Sequence, residues 1–88
     1  MILLKTRRYR RSSSKLTRKI QRLLFQQEKL LSENLFNPKL HTKKLKGLPD
    51  EKVFSFRITR EYRGLFRLEE NEIILFEIGE RKDIYRSL

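Results

Sequence analysis

The sequence predicts an α+β domain, with two helices in the first 35 residues and an antiparallel β-meander after residue 52. Two observations carry this reading. Apolar residues recur every three or four positions as far as Leu31, and at every second position from Phe54 onward, so the period changes from 3.6 to 2 near Gly47. The length, 88 residues, holds one hydrophobic core and no second, so a single domain spans 1–88.

Residues 2–5 read as a short first strand. Thr6 is placed to cap a helix from Arg7 to Leu16, although Ser12, Ser13 and Ser14 form a poor helix interior. Thr17 is the N-cap expected for a second helix, Arg18 to Glu33. Ile20, Leu23, Leu24, Gln27, Leu30 and Leu31 form its apolar stripe, interrupted only by Gln27, and Arg18, Lys19, Arg22, Gln26 and Lys29 lie largely on the other side. One long helix from Ser12 to Glu33 is the alternative. Asn34 to Pro38 ends the helical part, because the residue before proline is pushed out of the α region. Residues 39–47 read as a basic connection and Leu48-Pro49-Asp50 as a turn.

Strands are predicted over 53–59, from about Tyr62 to Leu68, and from about Ile73 to Gly79, with Glu69–Glu72 as the polar turn. Sharing a buried face among Phe54, Phe56, Ile58, Phe66 and Leu68 sets Phe56 opposite Phe66 and Thr59 opposite Arg63, around a loop of Arg60, Glu61 and Tyr62. Ile74, Phe76 and Ile78 are the expected apolar row of the last strand. The opposite face then receives Ser55, Arg57, Arg63, Leu65, Arg67, Leu75, Glu77 and Arg81.

Charge is the largest global signal. The formal net charge is +11, and residues 1–50 carry 14 Lys and Arg against 3 Asp and Glu, while 51–88 carry 8 against 8. The whole excess lies in the first half, and such a surface attracts polyanions and speeds their capture. Nucleic acid is the expected partner class; an acidic protein or plain solubility are other readings of the same charge. There is no cysteine and one histidine, His41, so neither a disulfide framework nor a soft-ligand metal set is available. No metal and no cofactor are expected. No phosphate-binding glycine loop or nucleophile elbow occurs among the three glycines. Nothing reads as a membrane span or a signal peptide, so the expectation is a cytoplasmic protein with no membrane partner.

Arg57, Arg63 and Arg81 fall on one sheet face by this register. Their planar forks match phosphate oxygens, and three together could stabilise charge developing in phosphoryl transfer. Solvated surface arginines are the plainer reading. Tyr85 could stack on a base or simply pack the last residues. His41, alone in a basic loop, reads as a solvated residue.

Four segments, Lys44-Leu45-Lys46-Gly47-Leu48-Pro49-Asp50, Phe54-Ser55-Phe56-Arg57-Ile58, Tyr62-Arg63-Gly64-Leu65-Phe66 and Gly79-Glu80-Arg81-Lys82-Asp83-Ile84-Tyr85-Arg86, resemble the RelE/ParE toxin superfamily in matching order over essentially the whole chain. The resemblance implies an N-terminal helical hairpin packed on a small twisted antiparallel sheet. It implies the toxin of a type II toxin–antitoxin system, a ribosome-dependent endoribonuclease that cuts mRNA through the message's own 2′-hydroxyl without a metal. By motif, Arg63 matches a phosphate-binding arginine, Arg81 one that stabilises the transition state, and Tyr85 a tyrosine that stacks on the base or handles the proton. Arg57 falls where RelE has a lysine. Lys43 falls where some relatives place a Glu or His base. With Lys44, Lys46, Lys82 and Arg86 it makes up the expected RNA- and phosphate-binding set. Ser55 stands where RelE has a further lysine, and the YoeB-like C-terminal histidine is missing. The implied partners are an acidic antitoxin, the ribosome and mRNA. A ParE-like gyrase inhibitor, or an inactive relative that only holds its antitoxin, are the alternatives within the resemblance.

Overall fold

The computed structural model describes residues 1–48 and 52–87. The elements run β1 (Ile2–Lys5), α1 (Arg7–Ser14), α2 (Arg18–Glu33), a 3-10 turn (Pro38–Leu40), β2 (Lys43–Lys44), β3 (Val53–Arg57), β4 (Tyr62–Glu69), β5 (Glu72–Glu80) and a second 3-10 turn (Ile84–Ser87). Of the turn expected at Leu48-Pro49-Asp50, Pro49 and Asp50 lie outside the described residues. No helix among the described residues is long and apolar enough to cross a membrane.

Both threonine caps are in place. Thr6 Oγ1 accepts from the Tyr9 N–H at 3.1 Å and Thr17 Oγ1 from the Ile20 N–H at 3.3 Å, each satisfying an orphan donor of the first turn. The serine run stops α1 two residues short of the expected Leu16. Ser13 and Ser14 hydroxyls donate back to the Arg10 and Arg11 carbonyls, and the Lys15 N–H bonds Ser12 and Ser13 carbonyls, which tightens and ends the helix. Two helices therefore form and not one.

The sheet has the order β1-β5-β4-β3-β2. Strands β2 to β5 are antiparallel, as expected, but β1 pairs parallel with β5, so the sheet is mixed. The helical pair between β1 and the meander supplies the crossover that a parallel partner needs. The expected basic connection contains the two-residue β2, paired with Ser55 and Phe54.

Phe54 lies opposite Phe66, Phe56 opposite Gly64, and Arg57 opposite Arg63. The expected pairing was two residues away from this, so the faces are right and the partners are shifted. Arg63 faces Arg57 instead of Thr59, and the connection is the four residues 58–61. The cause is steric. The Phe56 ring lies over Gly64, where a Cβ would overlap it, and the Phe54 and Phe66 rings stack at 5.3 Å with 9° between planes. An aromatic over a strand glycine fills the gap that the glycine leaves.

A bulge in β5 overturns part of the predicted facing. Leu65 pairs with Glu77 and Phe66 with Leu75, leaving Phe76 as the extra residue. Before the bulge the parity reverses. Ile73 and Leu75 join Ile78 in the core, and Ile74 and Phe76 are only half-buried. Leu75, expected on the opposite face, is fully buried under the helices. Four consecutive apolar residues, Ile73 to Phe76, give no alternation from which a bulge could be read.

The core joins Tyr9, Leu24, Leu31 and Leu40 to Phe56, Phe66, Ile73, Leu75 and Ile78. Within it the Tyr9 hydroxyl donates to Glu28 Oε2 at 2.8 Å, and Lys5 Nζ meets Glu28 Oε1 at 3.0 Å. Burial, reinforced by the Glu28 charge and its hydrogen bond, raises the Tyr9 phenol far above its ordinary value. A pKa raised by folding gives stability that is complete below the unfolded value, about pH 10, and is lost as pH rises above it.

Two outcomes follow for stability. Tyr9→Phe should cost about 1–3 kcal/mol at pH 8 in urea unfolding, by removing the donor of a buried carboxylate, and should make the loss above pH 10 shallower than in the wild type. Gly64→Ala should cost about 1–3 kcal/mol by overpacking, and Phe56→Leu should return part of that loss in the double variant.

Candidate functional site

The sheet face opposite the helices carries two cross-strand rows. One runs Lys43, Ser55, Leu65, Glu77; the next runs Arg57, Arg63, Gly79. Arg57 and Arg63 are direct neighbours of like charge, an arrangement that costs energy unless something holds it. Arg63 is held. Only 9% of it is exposed, and its Nη1 donates to the carbonyls of Thr59 at 2.6 Å, Arg60 at 3.2 Å and Tyr62 at 3.1 Å. The guanidinium thereby closes the 58–61 loop from inside. Burial lowers its pKa, Arg57 and Arg81 add to the effect, and Tyr85 and Glu61 oppose it.

Arg57 is fixed through its backbone: its carbonyl accepts from Gln27 Nε2 at 2.7 Å, the same amide that reaches the Lys39 carbonyl at 3.0 Å. This explains the polar interruption in the α2 stripe. The Arg57 Nε is buried and has no hydrogen-bond partner among the described residues. An unpaired buried donor is costly, and here it stands beside a second guanidinium, that of Arg63.

Arg81 follows β5. Its N–H donates to the Glu61 carbonyl at 2.7 Å, tying the turn to the β3–β4 loop, while its side chain is exposed. Ile84 is buried against Gly79 and anchors the last 3-10 turn, leaving Tyr85 43% exposed. Tyr85 lines two clefts. The larger, about 410 Å³, is completed by Lys43, Lys44, Leu45, Lys46 and Leu48. The smaller, about 240 Å³, is completed by Glu61, Glu80, Arg81 and Lys82.

The structure thus gathers Lys43, Lys44 and Lys46 around Tyr85, and brings Arg81 and Lys82 to its other side. Arg57 and Arg63 meet across β3 and β4 behind them. Lys82 lies 3.7 Å from Glu80. Arg86 lines neither cleft and sits 3.9 Å from Asp83. His41 is exposed, with a left-handed φ of 47°, and also lines neither. Sequence reasoning missed Glu61 and Glu80 as lining groups. Their adjacency to Tyr62-Arg63 and Gly79-Arg81 was the available signal. It missed as well that Glu77 is buried and takes Arg8 of α1 at 2.6 Å.

The two arginines expected to act together should separate on substitution. Arg63→Lys keeps the charge but cannot span three carbonyls, and should lower stability by about 2 kcal/mol in urea unfolding. Arg81→Ala keeps the backbone bond and should stay within about 0.5 kcal/mol of the wild type.

No protein-family model matches the chain, and no curated protein matches it in sequence. Solved structures do. The chain superposes on the structure of the RelB–RelE antitoxin–toxin complex from Methanococcus jannaschii with a TM-score of 0.76 and 20% identity, over 97% of this chain and 98% of that one. It is similar to the YoeB/ParE toxin from Agrobacterium tumefaciens, with a TM-score of 0.77 and 16% identity, over 92% and 99% of the two chains. It is also similar to the E. coli RelBE toxin–antitoxin complex, with a TM-score of 0.69 and 18% identity, over 89% and 93%. Two helices packed on a five-stranded mixed sheet match the fold of these RelE-like toxins, and this chain has that fold.

Proposed function

We propose that the chain is the toxin of a toxin–antitoxin pair and a RelE-like, ribosome-dependent endoribonuclease of the cytoplasm that needs no metal for the chemical step. The observation that carries this reading is the convergence of Arg57, Arg63 and Arg81 beside a tyrosine that also lines a three-lysine cleft. In the reaction, the 2′-oxygen loses its proton and bonds to the adjacent phosphorus while the P–O5′ bond breaks, leaving a 2′,3′-cyclic phosphate and a 5′-oxygen that takes up a proton from water to become the 5′-hydroxyl. Negative charge gathers on the non-bridging oxygens. Arg81, exposed and next to Tyr85, meets that charge, and Arg57, paired with Arg63 across β3 and β4, adds positive potential. Arg63 adds positive potential from behind and fixes the loop that holds Arg81. The Tyr85 ring stacks on a base, while Lys43, Lys44 and Lys46 hold flanking phosphates. Glu61 and Glu80 are the carboxylates in the Arg81 cleft that could accept the 2′-proton.

The partner follows from charge. A net +11 surface is matched by an acidic antitoxin, and the neighbouring folds include toxins solved with their antitoxins. Co-expression with an adjacent small acidic gene product should give a complex on a sizing column. Primer extension on translating ribosomes should give cuts within the message, reduced about a hundredfold or more by Arg81→Ala. Cleavage that survives Arg81→Ala at the wild-type rate would sink the arginine clamp. Inhibition of gyrase supercoiling without any cleavage would move the chain to a ParE-like activity.

A further inference from the structure

The helical layer carries a second cationic surface that the site above does not use. Residues 1–27 contain nine Lys and Arg and no acid, and six of the nine are arginine. Neither helix has an acidic residue in its first turn. On α2, Arg18, Gln21, Arg22, Phe25 and Gln26 recur at i, i+3, i+4, i+7, i+8 and line an open groove of about 660 Å³. This stripe runs beside the buried one of Leu24, Glu28 and Leu31. Phe25 is 69% exposed, so its ring face is open to a ligand. The Gln21 amide nitrogen is engaged by the Ser13 and Ser14 carbonyls at 3.0 and 3.4 Å. This fixes the side chain at the junction of the two helices and leaves its oxygen to accept.

We propose that this groove is a second RNA-binding site, which takes an unpaired base stacked on Phe25 with its flanking phosphates on Arg18 and Arg22. The chemistry of the lining selects that occupant. Guanidinium forks suit phosphates, a free aromatic face suits any base, and glutamine amides suit base edges. A docked amphipathic helix would need a row of apolar anchors, and this groove offers one ring. The site lies on the layer that covers the sheet face opposite Arg57 and Arg63, so it is separate from the cleavage site and extends the RNA reading of the protein.

The test uses a fluorescein-labelled 12-nucleotide 2′-O-methyl oligouridylate, which cannot be cut through a 2′-hydroxyl. Binding is measured by anisotropy in the full chain carrying Lys43→Gln, Lys44→Gln and Arg81→Gln, so that the sheet face contributes little. Phe25→Ala should weaken binding about tenfold without changing its salt dependence. Arg18→Gln with Arg22→Gln should reduce the slope of log K against log salt by roughly 1.4, the value for two phosphate contacts on a single strand. Phe25→Tyr should keep most of the affinity, and because Arg18, Arg22 and Phe25 are all exposed the three variants should melt with the parent. If Phe25→Ala binds the oligonucleotide as the parent does, the stacking site is wrong. If a labelled 20-residue polyglutamate binds more tightly than the RNA and loses affinity in Phe25→Ala, the groove takes acidic protein and the proposal is overturned. Cleavage on ribosomes is measured separately with the wild-type sheet face. Loss of the groove therefore leaves the nuclease reading standing, and absence of cleavage leaves the groove standing.

Discussion

The contact on which the rest of the structure depends is the one between the Phe56 ring and Gly64. A ring can lie flat across a strand only where the opposite residue lacks a Cβ, so this pair admits one register for β3 on β4. That register sets Arg57 beside Arg63 and leaves four residues for the loop. The loop's carbonyls then point where the Arg63 guanidinium can collect three of them. Arg81 is fixed in turn, because its backbone bonds to that loop. One small residue thus determines where three cations stand.

Polar residues inside apolar patterns do the positioning. Gln27 interrupts the α2 stripe and reaches the Arg57 carbonyl; Glu28, one position on, is buried and joins Lys5 and Tyr9 across three elements. Each is satisfied by a specific partner, which is the condition for a buried polar group to add definition to a fold. Glu77 does the same on the other face with Arg8.

Much of this was legible in the sequence. The two threonine caps, both helices and the three strands of the meander follow from local chemistry and period. Arg57 and Arg63 share a face because parity survives a two-residue error. The bulge at Phe76 was not legible, since Ile73 to Phe76 are all apolar, and with it went the placing of Leu75. The parallel pairing of β1 was not legible either, because four residues carry no mark of the strand they join. At the site, the arginines could be grouped by register, but the meeting of Tyr85 with Lys43, Lys44 and Lys46 depends on a loop and a terminal turn with no periodicity. That Glu61 and Glu80 line the Arg81 cleft was hidden for the opposite reason: acids next to loops and turns look like ordinary solvated residues.

The parallel strand β1 also bears on how the molecule is assembled. It reaches β5 across roughly 70 residues of intervening chain, from Ile2 to Glu72, so it makes the most distant pairing in the sheet. Contacts of that separation form late, after the local hairpins of β3, β4 and β5 have closed. β1 is also weakly covered, with Ile2 and Leu4 exposed. β1 is short and half-exposed, and its departure uncovers the backbone edge of β5. The Arg57–Arg63 pair, on β3 and β4, would remain built while that edge sought a new strand to pair with. Self-association at β5 is then the failure that this topology carries, and it would set in before the fold as a whole is lost.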